Sequence, residues 1–360
     1  MVCPMTTLAS TRQGPAAPAA LAARADADAA RVLTAAAGAS CAEAQPGCAV
    51  LPPASLTVRI VTLCAVLLPL LGLAAAIVLL SHTPFYWQHL MIFGIMYAAT
   101  TLGIGVGFHR LFTHRSYETG GVMRLVWAVL GSMAVEGPLF TWVAVHRTHH
   151  RHTDAPGDPH SPHGHGDDDD HAAGVLPLLR GLWHAHVGWL FNAHPPELER
   201  QIPDLHKDPV ARFVDRTFVV WVVLGLVIPA ALGGIITRSW SGVLVGFLWG
   251  GLARVLVVHH ITWSINSVCH LWGARPFATG DESRDNPVLG ILALGEGWHN
   301  THHAFPASAR HGLAWWKLDV NYLVIRAMAL LRLARNVRVP TAERIAAKRA
   351  GRGELGDEMG

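Results

Sequence analysis

The chain has 360 residues, 51% of them hydrophobic and 15% charged, with a formal charge of +3 and a mean hydropathy of +0.31. It is too apolar for a pair of soluble domains and too weakly basic for nucleic-acid binding, and it suits a polytopic membrane protein with a sizeable polar part. Its five cysteines (3, 41, 48, 64 and 269) form no CxxC pair, which argues against a disulfide framework or a zinc ribbon.

In chain order, residues 1–52 are rich in Ala, Pro and Asp without sustained apolar periodicity, and read as a disordered or loosely helical tail. No compact apolar core follows the first basic residues, so a cleavable signal peptide fits poorly. Leu56–Leu80 is long enough to cross the roughly 30 Å hydrocarbon layer as a helix, with Arg59 near its start able to reach the interface. After the short loop Ser81–Phe85, Trp87–Phe108 predicts a second crossing and hence an antiparallel hairpin. Within it, Gly103-Ile-Gly-Val-Gly107 lacks a βαβ context and reads as helix packing.

Gly121–Trp142 is apolar but carries Arg124, Glu136 and Pro138. It reads as an interfacial or partly embedded helix. A second hairpin follows, Thr217–Ile236 and Gly242–Val258, joined around Thr237–Ser241. The domain so outlined spans 53–345, and 346–360 forms a polar C-terminal tail.

Three histidine clusters stand out: His109 and His114 in one, His146, His149 and His150 in the next, then His299, His302 and His303. Each follows a long apolar stretch, and imidazoles held there cost desolvation unless something uses their nitrogens. With four crossings all three share one face, as a common metal site requires. Arg110, Arg115, Arg147, Arg151, Lys207, Arg212 and Arg216 fall on that face, while the opposite loops offer only Arg238, so the histidine face is expected to be cytoplasmic.

The i, i+3, i+4 spacing of the second and third clusters puts three imidazoles on one helix face, able to converge on one locus. His109 and His114 are five apart, about 140° on an ideal helix, which favours two neighbouring ions. Eight imidazoles are too many for one tetrahedral zinc, and nitrogen donors suit Zn, Cu, Fe or Ni alike.

The motifs themselves go further. Gly107-Phe-His-Arg-Leu-Phe-Thr-His114, Asp158-Pro-His160, His186-Val-Gly-Trp189, Trp263-Ser-Ile-Asn-Ser-Val-Cys-His270 and Gly295-Glu-Gly-Trp-His-Asn-Thr-His-His-Ala-Phe-Pro306 resemble the membrane-bound fatty acid desaturases, in particular acyl-CoA desaturases of the stearoyl-CoA, delta-9 type. The resemblance covers roughly residues 85–345. It implies an all-α integral membrane fold, four transmembrane helices in two hairpins, with a cytoplasmic helical cap over a di-iron centre. The implied ligands are His109, His114, His146, His149, His150, His299, His302 and His303, a ninth histidine, His270, and Asn266 through water. Trp142, Thr262 and Trp263 correspond to residues that shape a substrate tunnel, and read equally well as packing or interface residues.

The implied reaction uses O2 and two electrons, through two Fe ions cycling between Fe2+ and Fe3+, to leave a cis double bond in a saturated C16–C18 acyl-CoA at carbon 9. The chain carries no haem-binding HPGG segment and no ferredoxin-like cysteine run, so a separate ferredoxin or cytochrome with its reductase is the expected partner, alongside membrane lipid. The expected location is a bacterial inner membrane. An acyl-lipid substrate is the first alternative and a histidine-box alkane hydroxylase or ketolase the second. A histidine-rich metal transporter would instead place ligands at mid-membrane.

Asp154, Asp158 and Glu296 are candidates to orient the imidazoles, or are solvated loop residues. His160, His163, His165 and His171 surround a polar low-complexity loop and are set apart from the site, with the Asp158-Pro-His160 motif kept as a structural element. His184 and His186 read as membrane-rim or supporting residues.

Overall fold

The computed structural model describes residues 54–80, 87–163, 174–192 and 200–357. The expected tail at 1–52, the loop Ser81–Phe85, His165 and His171 lie outside them, and the described residues fall within one compact unit, Cys48–Gly360. Among the described residues, four helices are long and apolar enough to cross a membrane: α1 (Leu56–Leu80), α2 (Trp87–Thr113), α7 (Phe218–Thr237) and α8 (Trp240–His270). Between and after them lie α3 (Gly121–Ser132), α4 (Leu139–His152), α5 (Val175–His186), α6 (Pro209–Arg216), α9 (Pro287–Leu292), α10 (His299–Ala304), α11 (Val320–Leu330) and α12 (Ala342–Asp357). One small antiparallel pairing, Glu118–Thr119 with Ala334–Arg335, departs from an all-helical chain and ties the end of α2 to the segment after α11.

The segment Gly121–Trp142 does not cross. Twelve residues of α3 span about 18 Å, well short of the ~30 Å hydrocarbon layer. The chain then breaks at a turn where Val135 (φ 66°) and Gly137 (φ 102°) are left-handed, and α4 restarts after Pro138.

Two spans outrun their expected ends. At ~1.5 Å per residue, α2 with 27 residues reaches about 40 Å and α8 with 31 about 46 Å, so each extends beyond a ~30 Å layer. The polar His259, His260, Ser264 and Asn266 end the hydropathy signal early. No Gly or Pro lies between Arg254 and Trp272, so the helix itself continues as far as His270. These overshooting ends carry His109 and His270 to the site.

The second hairpin is held by small residues at four-residue spacing, Gly242, Gly246 and Gly250 on α8 against Pro229 and Gly233 on α7. A Cβ at Gly246 would sit 2.3 Å from the Pro229 carbonyl oxygen, and one at Gly233 2.2 Å from that of Gly242. Gly246→Val therefore forces the helices apart, with an expected loss of ~1–3 kcal/mol read as a lower unfolding temperature in detergent. An unchanged transition would show that this contact does not hold the hairpin. The Gly103–Gly107 run packs as expected, Gly103 against the Gly131 backbone, Gly105 against Asn321 and Gly107 against Trp127.

Beyond the hairpins, α3, α4, α6 and α11 enclose a core around Phe108, Phe112, Leu139, Val143, Val214 and Ile325. The expected boundary at 345 falls inside α12. Its Ile345 packs with Phe277, Ala304 and Phe305, and Arg349 lies 5.5 Å over the Phe277 ring.

Candidate metal centre

His109 lies on Gly103–Thr113, where α2 widens to i→i+5 hydrogen bonding, and the His114 N–H donates to the His109 carbonyl at 3.1 Å. That winding stacks residues five apart on one face. His109 and His114 accordingly meet, with ring centroids 4.8 Å apart, and do not diverge as ideal α-helical geometry would require. The nine expected imidazoles form two adjacent groups. One contains His109, His114, His146, His150 and His302, and the other His149, His270, His299 and His303. Within each, one ring nitrogen per residue lies within 4.8 Å of the others.

The two HxxHH boxes do not each converge on one locus. Each splits, because i and i+4 point together while i+3 leans to the neighbouring group. His146 and His150 serve the first and His149 the second; His299 and His303 serve the second and His302 the first.

Carboxylates occupy the outer nitrogens. Asp158 meets Nδ1 of His149 at 2.9 Å, Asp154 that of His270 at 2.8 Å and Asp281 that of His303 at 3.0 Å, and Glu296 bonds Nδ1 of His109. A carboxylate can only accept, so each of these rings carries its proton on Nδ1 and turns a bare Nε2 lone pair inward. There the Nε2 atoms face one another: His109 to His302 at 3.1 Å, His302 to His150 at 2.8 Å, His270 to His299 at 3.0 Å and His303 to His299 at 3.1 Å. A single proton on His299 Nε2 can answer His270 or His303, not both. The Nε2 atoms of His149 and His114 are buried with no partner at all. Lone pairs converging without donors are what a bound cation satisfies, so the residues fit a metal pair.

Burial reinforces this. Desolvation, followed by repulsion among the rings, holds the pKa values of His114, His146, His150, His299, His302 and His303 well below the ordinary imidazole range, leaving neutral rings. For His149 burial acts the same way, but the Asp158 carboxylate outweighs it and raises the pKa. Burial also opposes ionisation of Asp154 and Asp158, yet contacts with His270 and His149 respectively keep both well below the usual carboxylate range.

The expected supports Asp154, Asp158 and Glu296 thus all touch imidazoles of the two groups. Asp281 does too and was not foreseen; it comes from a polar loop 22 residues before His303, with no periodicity to mark it. His311 was also missed: it is buried with its ring 4.6 Å from that of His302, and Arg110 donates to its Nδ1 at 3.1 Å. His160, set apart from the site on sequence grounds, is buried with its ring 4.4 Å from that of His149. His163 contacts the His270 carbonyl oxygen at 3.1 Å and His184 that of Pro159 at 3.2 Å, while His186 reaches Ser267 and His260.

Asn266 is half-buried on the turn before His270 and hydrogen-bonds none of the nine imidazoles. Trp142 stacks on His146 at 5.2 Å and meets His109 at 6.1 Å. Trp263 is buried against His259 at 4.7 Å, and Thr262 is half-buried one residue before it. An apolar cleft of about 250 Å³ opens between α2, α8 and α9 beside Tyr97, Ile261 and Leu292; none of Trp142, Thr262 and Trp263 lines it.

Comparison with known proteins gives the family. The profile of the family described as "Fatty acid desaturase" matches residues 84–335. The hex-5-enoyl-[acyl-carrier protein] acetylenase of Moorena producens (strain JHB) is 44% identical over 282 residues, 78% of this chain and 87% of that one. The sn-1 stearoyl-lipid 9-desaturase of Anabaena variabilis is 36% identical over 259 residues, 71% and 86% of the two chains. The acyl-CoA C20 Delta5-desaturase of Anemone leveillei is 35% identical over 268 residues, 73% and 78%. With the match running from α2 through the second hairpin and all three histidine clusters, the chain belongs to the fatty acid desaturase family, oxidoreductases of lipid metabolism.

Proposed function

We propose that this protein introduces a cis double bond at carbon 9 of a saturated C16–C18 acyl chain, using O2 and electrons from a separate donor, at a di-iron centre held by the nine imidazoles. The observation that carries the reading is the pair of nitrogen groups with their inward lone pairs. When bound, an iron pair supplies the O2 activation that removal of unactivated hydrogens demands. The protein's own contribution is placement. Asp154, Asp158, Asp281 and Glu296 fix the imidazole tautomers, and Trp142 packs beside His146 and His109 where a chain must lie to be selected among like methylenes.

Acyl-CoA is the carrier the motifs suggest. The second reading, a glycerolipid-linked chain, draws support from relatives named sn-1 stearoyl-lipid 9-desaturases, and the acetylenase relative is named for an acyl-carrier protein. We place the histidine face in the cytoplasm, where the exposed Arg151, Lys207 and Arg212 would meet an acidic electron donor. A single cysteine introduced at Arg238 should then react with an impermeant thiol reagent from outside intact cells; labelling only after lysis would reverse the orientation.

Function is tested by expression in a desaturase-deficient host with a competent donor, followed by gas chromatography of derivatised acyl chains. New 9-monounsaturated chains are expected. An alcohol in their place would favour the hydroxylase reading, and no new product would remove the desaturase one. Membranes supplied with stearoyl-CoA or with a stearoyl-lipid then separate the carriers.

A further inference from the structure

The loop between α10 and α11 carries a buried imidazole that the two nitrogen groups leave unused. His311 is fully buried, with its ring 4.6 Å from that of His302 and 5.4 Å from that of His109. The loop around it is tied at several points. The backbone N–H groups of His311 and Gly312 both donate to Asp319, at 2.7 and 3.1 Å, and that of Ala309 donates to the Arg338 carbonyl at 2.7 Å. Arg110 spans the same loop, donating to the Ala309 carbonyl at 2.7 Å and pairing with Asp319 at 2.9 Å. A Cβ at Gly312 would stand 2.2 Å from the Lys317 carbonyl oxygen, so the chain has no slack there.

The ring proton of His311 sits on the opposite nitrogen from that of the carboxylate-bound imidazoles. Arg110 Nη2 lies 3.1 Å from His311 Nδ1, and a guanidinium can only donate, so Nδ1 accepts and the proton is on Nε2. Glu296 does not reverse the choice, because its Oε2 stays 3.8 Å from that Nδ1, beyond hydrogen-bonding range. His109, His149, His270 and His303 carry their protons on Nδ1 and offer bare Nε2 lone pairs. His311 Nε2 is thus a donor where theirs are acceptors, and it is buried with no partner among the described residues. His302 cannot serve, since with its Nε2 turned to a metal its own proton lies on Nδ1. A buried donor left without an acceptor is costly, so something outside the chain is expected to take it.

His311 is not a ligand itself. It falls outside the five residues of the first group whose nitrogens lie within 4.8 Å of one another, and a protonated nitrogen has no lone pair to give. Five imidazoles leave an open position on an ion of octahedral habit. We propose that His311 is a positioning hydrogen-bond donor for the small exogenous ligand, water or an anion, that completes the first imidazole group, with Arg110 fixing the tautomer that makes it a donor. This role rests on the desaturase reading above for the identity of the metal pair. A donor so placed favours an anionic ligand most, because a charge-assisted hydrogen bond is the stronger kind.

The test uses the full-length, iron-loaded, oxidised protein in lipid nanodiscs, with azide as the probe and its ligand-to-iron absorption band as the readout. Two replacements separate the two ring nitrogens. His311→Asn keeps an acceptor where Nδ1 meets Arg110 and removes the Nε2 donor, whereas His311→Gln carries an N–H out to the Nε2 position. Both should retain the iron content of the unmodified protein. Azide should bind roughly ten- to a hundredfold more weakly to His311→Asn, and His311→Gln should recover much of that loss. A ring that only fills space would lower the unfolding temperature of both variants without this difference between them. Equal azide affinity in all three proteins, or equal losses in the two variants, would overturn the proposal, and so would iron lost selectively from the first group, which would make His311 a ligand. A protein that takes up no iron would overturn the proposal and the metal centre together. Azide binding needs no turnover, so the expected pattern in a protein that makes no alkene would overturn the desaturase reading alone.

Discussion

Replacing His302 with Ala is expected to abolish desaturation and to strip iron from the first imidazole group, with the helical fold retained. His302 is the hinge of that group. Its Nε2 lies 2.8 Å from that of His150 and 3.1 Å from that of His109, so it bridges the boxes carried by α4 and α2. It is fully buried. The neighbouring His311 is the nearest further imidazole, but its Nδ1 is engaged by Arg110. His149→Ala should behave alike for the second group, since its Nδ1 is held by Asp158 and its Nε2 is free to bind. The check is iron content of purified protein beside product analysis and circular dichroism. Full iron and full activity in either variant would void the ligand assignment.

The second large effect is expected at Glu296, where loss of metal and loss of stability coincide. Its carboxylate takes His109 Nδ1, Arg110 at 3.0 Å and the Asn321 amide at 2.7 Å. Arg110 is fully buried, with Asp319 at 2.9 Å and the Ala309 carbonyl at 2.7 Å as its other main acceptors. Breaking a buried charged pair by removing one partner costs ~3–5 kcal/mol, and Asp319 keeps the loss toward the lower end. Glu296→Ala should therefore unfold at markedly lower temperature and bind metal ~10–100-fold more weakly. Asp281→Asn, which disturbs only the His303 support, should weaken metal binding with little change in unfolding. Equal stability of the two variants would show that Glu296 is not a structural hub.

The sign of the pH dependence at Glu296 follows from its shift. Burial opposes ionisation, but His109 and Arg110 outweigh it, so the folded pKa lies below the ordinary 4.5. Its stabilising contribution is thus present above about 4.5 and is lost as pH falls through the lowered value.

Much of this molecule was readable in the linear chain. Apolar runs of sufficient length announce a membrane crossing whatever packs beside them, because each helix satisfies its own backbone hydrogen bonds. Leu56–Leu80 was placed residue for residue, and Phe218–Thr237 to within one. Eight imidazoles stood out by their clustering beside apolar segments, and the ninth, His270, by the resemblance of its motif to the desaturases.

What the tertiary structure alone decided was how those parts combine. The widened turn at Gly103–Thr113 turned His109 and His114 toward a single group; no composition rule announces a change in helical winding, which depends on what the helix packs against. The division of each HxxHH box between two groups and the arrival of Asp281 and His311 depend on segments distant in sequence. Local propensity acts over a turn or two, so it sets which helices form. The meeting of a polar loop at 281 with a ring at 303, or of Asp154 with the ring of His270, is set by the packing of whole helices against one another.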